Sequence, residues 1–170
     1  KGEIDSDGYV KITGRIKELY VSSGGKNIAP LVIEETMKSI PMVSQCMLIG
    51  DGRKYCSALF TLDVGAILRD KHGMDPAKIP KDPTVQISTL ESFGKTLADY
   101  TDSEEIHAEM QAQVTELNGQ FSNPEQIKKF KILPRDLNVD FGELTPTLKI
   151  RRIQIRENWA AEIEAMYEGA

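Results

Sequence analysis

The chain has 170 residues, with 21 Lys and Arg against 26 Asp and Glu, giving a net charge of −5. That acidic balance argues against broad nucleic-acid binding, which wants a basic face. No apolar run approaches the ~20 residues of a membrane helix, no secretory leader opens the chain, and its size suits one domain or a domain with a substantial insert.

The first residues, KGEIDSDGY, have no Met and pass at once into a turn, so the expectation is a segment of a longer protein. Asp5-Ser6-Asp7-Gly8 is turn chemistry. Tyr9 to Thr13 reads as a short strand, Gly14-Arg15 interrupts it, and Ile16 to Val21 reads as a second strand. Ser22-Ser23-Gly24-Gly25 forms a loop, and Pro30 suits the first turn of a helix over 29–39. The apolar stripe of that helix is Leu31, Ile33, Met37 and Ile40. Glu34 and Glu35 sit early in it, where the dipole favours acids. The Gly-Gly-Lys of 24–26 is not a Walker A loop, because Tyr20 and Asn27 stand where that motif needs Gly and Ser or Thr. Arg15 and Lys17 read from spacing alone as solvated charges of a hairpin.

Val43 to Ile49 and Tyr55 to Leu62 predict a hairpin turning at Asp51-Gly52, on which the preceding helix packs. The expected class is α+β: a small mixed sheet with an N-terminal two-stranded hairpin, flanked by helices, with a helical insert at about 64–120. Cys46 and Cys56 fall in apolar strands at no metal spacing and read as buried reduced thiols. Within the insert, 64–72 predicts a short helix, 74–87 a connector and 88–100 another short helix. Ser103 predicts the cap of a longer helix with Ile106, Met110, Val114 and Leu117 buried. His72 and His107 read as surface histidines. Asn123-Pro124 predicts a short helix start leading into the strand Phe130 to Leu133. Residues 143–152, ELTPTLKIRR, form a loop with strand character before a helix over 153–167. Lys149, Arg151, Arg152 and Arg156 make a local basic cluster, read by itself as helix-flanking charge.

Two stretches together carry a family resemblance. ITGRIKELYVSSGGKNIAPLVIEE and ELTPTLKIRR resemble the hinge motif and the terminal lysine motif of the AMP-forming acyl-CoA synthetase, adenylation-domain and luciferase superfamily. The second resembles the long-chain fatty acyl-CoA synthetase version. Leu148 departs from the wider superfamily, which often has glycine before the lysine. The resemblance covers nearly the whole chain, strongly at 8–36 and 124–155.

The resemblance implies the C-terminal lid domain of a long-chain fatty acid–CoA ligase, with the N-terminal ATP- and acyl-binding domain outside this chain. It implies that Lys149 is catalytic for adenylation, that Arg15 holds the ribose hydroxyls of the nucleotide, and that Lys17 is the hinge. Gly24, Gly25 and Lys26 would form a loop facing coenzyme A after domain rotation. The implied substrates are a fatty acid, ATP with Mg2+ and coenzyme A, with no metal site on this chain. The implied setting is cytoplasmic, with peripheral attachment of the full-length protein to a membrane left open. The alternative is a non-catalytic module of the same fold that binds a protein or acyl carrier.

Overall fold

The computed structural model describes residues 2–4, 6, 8–12 and 19–169. Strands β1 (Gly2–Ile4) and β2 (Val10–Ile12) pair antiparallel. Strand β2 thus takes its partner from the N-terminal side. A second small hairpin joins β3 (Tyr20–Val21) to β4 (Asn27–Ile28) through the 22–26 turn. Helix α1 (Pro30–Met37) follows, with Pro at its first turn as expected.

The main sheet has three strands in the order β5-β6-β7: β5 (Val43–Ile49), β6 (Cys56–Leu62) and β7 (Ile127–Ile132). Strands β5 and β6 are antiparallel, and β6 and β7 are parallel. Every residue of the central strand β6 is buried. Its alternating side chains divide between two hydrophobic clusters, as the pleat requires. Ala58 and Phe60 join Cys46, Leu48, Phe130 and Ile132 on one face, against Ile33 and Met37 of α1. Leu59 joins Met47 and Ile49 on the other, against Leu144, Ile155, Trp159 and Ile163.

The insert belongs to the first of these clusters. Helices α2 (Val64–Asp70), α3 (Pro83–Ser92), α4 (Ala98–Thr101) and α5 (Glu104–Asn118) supply Leu68, Leu90, Tyr100, Ile106, Met110 and Val114 to it. The insert is therefore a cover for one sheet face and shares its core. Ser103 accepts from the Ile106 N–H, as its sequence predicts. The 74–87 connector is shorter than expected, because Asp82 caps α3 by accepting from Thr84 N–H at 2.8 Å and Pro83 opens it. That Asp-Pro pair is a helix-start signal of the same kind as Asn123-Pro124. At the latter site the cap is Ser122 rather than Asn123, and the helix is a single 3-10 turn over Asn123–Glu125.

The expected C-terminal helix is broken in two. Helix α6 (Arg152–Asn158) and α7 (Ala160–Ala165) meet at Trp159, whose backbone leaves the helical region. The α+β class stands, with two buried free thiols. Burial pushes the Cys46 thiol well up, and pushes Cys56 up to about 11.

Candidate functional site

The lysine motif folds into a narrow hairpin. Arg151 N–H donates to the Glu143 carbonyl at 2.8 Å, and Leu144 bridges Ile150. At the tip, Thr145 N–H donates to the Lys149 carbonyl at 2.8 Å and Leu148 N–H to the Thr145 carbonyl at 2.8 Å. The Thr145 hydroxyl accepts from Lys149 N–H at 3.0 Å. Lys149 is exposed, and its ammonium has no hydrogen-bond or ion-pair partner among the described residues.

The 22–26 turn is built the same way. Ser22 N–H donates to the Lys26 carbonyl at 2.9 Å, and Gly25 N–H to the Ser22 carbonyl at 2.8 Å. The Ser22 hydroxyl accepts from Lys26 N–H at 3.0 Å. Each turn opens on a hydroxyl residue, closes on a lysine, and places its fourth residue in the left-handed region: Gly25 at φ 80° and Leu148 at φ 60°. This recurrence was not legible in the sequence, where SSGGK and TPTLK share only their ends.

Leucine at that position is strained, because a Cβ costs about 1–2 kcal/mol there. Its side chain is 65% exposed and gains little by burial. Leu148→Gly is therefore expected to stabilise the chain by about 0.5–1 kcal/mol, after the glycine's extra unfolded-state entropy is subtracted. The check is thermal unfolding, where a rise of about 2 °C is expected and a fall overturns the strain argument.

The two lysines differ in what they meet. The Lys26 ammonium lies 3.2 Å from a Glu125 carboxylate oxygen and also contacts the Ser122 hydroxyl. Burial works to raise the Glu125 pKa, but bonds from Ser122 and Lys26 outweigh it and hold it low. Gly25 is favoured by the left-handed backbone of the turn itself. Gly24 is not: a Cβ there would meet only the Ser22 hydroxyl, at 3.8 Å. Arg15 and Lys17 lie outside the described residues.

Two buried carboxylates brace the Lys149 hairpin. Glu143, fully buried at its base, is forked by Arg135 at 2.7 and 2.9 Å. It also accepts from the Trp159 indole N–H at 2.9 Å, Asn158 at 3.1 Å and Asn138 N–H at 3.1 Å. The Arg135 guanidinium lies over the rings of Phe141 and Trp159 at 4.0 and 4.9 Å. Burial works to raise the Glu143 pKa, and these hydrogen bonds bring it below the usual carboxylate range.

Glu34 is 2% exposed and holds the other end, forked by Arg152 at 2.5 and 2.6 Å. Glu34 lies beyond the first turn of α1, which holds no acid, and is thus a buried partner where the sequence suggested a dipole-favoured acid. The basic cluster also divides: Arg152 is paired inside, Arg156 lies over the Tyr20 ring at 5.5 Å, and Lys149 and Arg151 remain exposed. The histidines stay away from this site. His72 bonds Tyr100 at 2.6 Å and His107 stacks on Phe130.

Two concavities lie among the described residues. A cavity of about 150 Å³ lies among Ile49, Asp51, Arg53, Arg156, Ala160, Ile163 and Glu164, with Arg53 already forked by Glu164. That is smaller than the ~300 Å³ where small-molecule pockets begin. An open groove of about 430 Å³ runs over Ala161, Ala165 and Met166. Among the described residues no cluster of three or more His, Cys, Asp or Glu could hold a metal ion, and no helix is long and apolar enough to cross a membrane.

Residues 17–78 match the AMP-binding enzyme C-terminal domain. Among individual proteins, the chain is 37% identical over 166 residues to the long-chain-fatty-acid–CoA ligase FadD15 of Mycobacterium tuberculosis, covering 98% of this chain and 25% of that protein. It is 32% identical over 177 residues to the human long-chain-fatty-acid–CoA ligase ACSBG1, covering 98% of this chain and 23% of that one. The chain thus spans about a quarter of the length of these curated relatives. The adenylation domain of a carboxylate reductase from Mycobacterium chelonae has the same fold over 97% of this chain and 24% of its own, with a TM-score of 0.65 at 19% identity.

Proposed function

We propose that this chain is the mobile C-terminal lid of an AMP-forming long-chain fatty acid–CoA ligase, joined to an N-terminal domain that holds ATP and the acyl chain. The observation that carries the reading is Lys149: an ammonium with no partner among the described residues, held out on a turn whose base is braced by Glu143 and Arg152. A non-catalytic binding module has no need to hold a lysine in this way.

In the first half-reaction the fatty acid carboxylate attacks the α-phosphorus of ATP and releases pyrophosphate. Lys149 sits between the two anions, offsets their repulsion and aligns them, with its charge already in place where negative charge develops. Arg15 forks onto the ribose hydroxyls. In the second half-reaction the lid rotates about Lys17, and the coenzyme A thiol displaces AMP from the acyl carbonyl. The 22–26 turn then faces the thiol's approach. Gly24, whose missing side chain nothing in this chain requires, leaves room for the pantetheine arm. Lys26 lies at the same loop, already paired with Glu125. The Mg2+ that accompanies ATP binds with the N-terminal domain. The buried thiols suit a reducing cytoplasmic compartment, and peripheral membrane attachment would come from outside this chain.

The test uses the full-length ligase that contains this chain, alongside residues 1–170 alone. The full-length protein is expected to form acyl-CoA, AMP and pyrophosphate from a long-chain fatty acid, ATP and coenzyme A. The isolated chain is expected to release no pyrophosphate. Turnover by the isolated chain overturns the lid reading, and a full-length protein that adenylates no long-chain fatty acid overturns the ligase reading.

A further inference from the structure

We propose that the Glu34–Arg152 fork is a positioning element that locks the two lysine-ended turns into one rigid body, so that Lys149 is delivered in a fixed place. The proposal rests on the reading of Lys149 as the adenylation lysine. Arg152 is the first residue of α6, three residues beyond Lys149, and α6 lies on one face of the main sheet. Glu34 is on α1, which lies on the other face and directly follows β4 and the 22–26 turn. The fork therefore reaches around the sheet edge from one layer to the other.

That edge is β5, the outer strand, and the fork is fastened to it. Leu48 N–H donates to the Glu34 carboxylate at 2.7 Å, and the Leu48 carbonyl accepts from the Tyr20 hydroxyl at 2.8 Å. Strand β6 takes the other edge of β5. Buried backbone groups need such partners, and here they come from β3, which leads into the 22–26 turn, and from α1, which follows β4 beyond it. Arg152 also reaches the Tyr20 hydroxyl at 3.4 Å. Glu34 is thus held at one oxygen by the sheet and at both by the arginine. A bidentate pair of this kind fixes direction as well as distance. Without it, α6 keeps its apolar contacts through Ile155 but loses the tether at its first turn, where the hairpin bearing Lys149 ends.

The test compares four forms of the full-length ligase: unaltered, Glu34→Gln, Lys149→Ala, and both changes together. Pyrophosphate release reports adenylation, and thioester formation from supplied acyl-AMP reports the second step. Glu34→Gln keeps the size of the side chain and an acceptor for Leu48 but loses the charged fork. It is expected to lower kcat for adenylation by about 10–100-fold at little-changed KM for ATP, the scale of an ångström-sized misplacement. In the Lys149→Ala background the same change is expected to cost nothing further, because a group that acts through Lys149 has nothing left to position. Equal losses in both backgrounds overturn the proposal in favour of a merely structural role. So does an unaltered rate in Glu34→Gln when Lys149→Ala is slow. A Lys149→Ala enzyme with normal adenylation is a different result, and it removes the functional reading itself. Should Glu34→Gln not fold, Arg152→Lys puts the same question with the charge kept and the fork lost.

Discussion

Replacing Lys149 by alanine in the full-length ligase is expected to slow acyl-adenylate formation by about 10²–10³, the usual cost of removing one preorganised charge donor. The same variant is expected to convert supplied acyl-AMP and coenzyme A to thioester at close to the unaltered rate, since in the proposed mechanism lid rotation carries Lys149 away from the site. Stability should change by no more than about 0.5 kcal/mol, because the side chain is exposed and pairs with nothing among the described residues. The turn that carries it is closed by the Thr145 hydroxyl and by backbone bonds, which alanine leaves intact. Pyrophosphate release and thioester formation, measured separately, decide the matter. Equal loss in both half-reactions contradicts the assigned role.

Glu143→Ala is expected to be the most damaging substitution for the fold, at about 3–5 kcal/mol. The carboxylate is fully buried and answers Arg135, Asn158, Trp159 and the Asn138 N–H at once. Alanine leaves the indole and backbone donors in the interior without partners, each a cost of about 1–3 kcal/mol. Arg135, being partly exposed, can turn to water and recover part of its share. The sign of the pH dependence follows from the lowered folded-state pKa of Glu143. Its contribution is fully present above the ordinary carboxylate value of about 4.3 and is lost as pH falls through the lower folded value. The stability gap between the unaltered chain and Glu143→Ala, measured by urea unfolding, should be constant from neutral pH down to about 4.3 and shrink below it. A gap that widens in acid contradicts this account.

The sequence alone determined what is settled by near neighbours. Pro30 and Ser103 mark helix starts, and Asp51-Gly52 marks a hairpin, because caps and turns close hydrogen bonds within four residues. The apolar runs of β5 and β6 predicted a covered sheet, and burial of both faces of β6 is why those runs do not alternate. The order and spacing of Lys149 and the 14–26 stretch carried the resemblance to acyl-CoA synthetases. Asp82-Pro83 carries an equally local helix-start signal, inside the stretch expected to be a connector.

Other features were decided only when the chain closed on itself. Glu34 and Arg152 are 118 residues apart, and each taken locally is an ordinary helix-end charge. They become a buried pair because α1 and α6 cover opposite faces of a sheet only three strands wide, so that one edge lies within reach of both. Glu143 likewise looks like a loop acid until β7 runs parallel to β6 and the following segment brings Arg135 against Trp159. The match between the 22–26 and 145–149 turns is carried by backbone angles, with glycine in one and leucine in the other. A tertiary fold can hold leucine in a conformation its own sequence disfavours, because the hairpin bonds on either side leave the residue no other path.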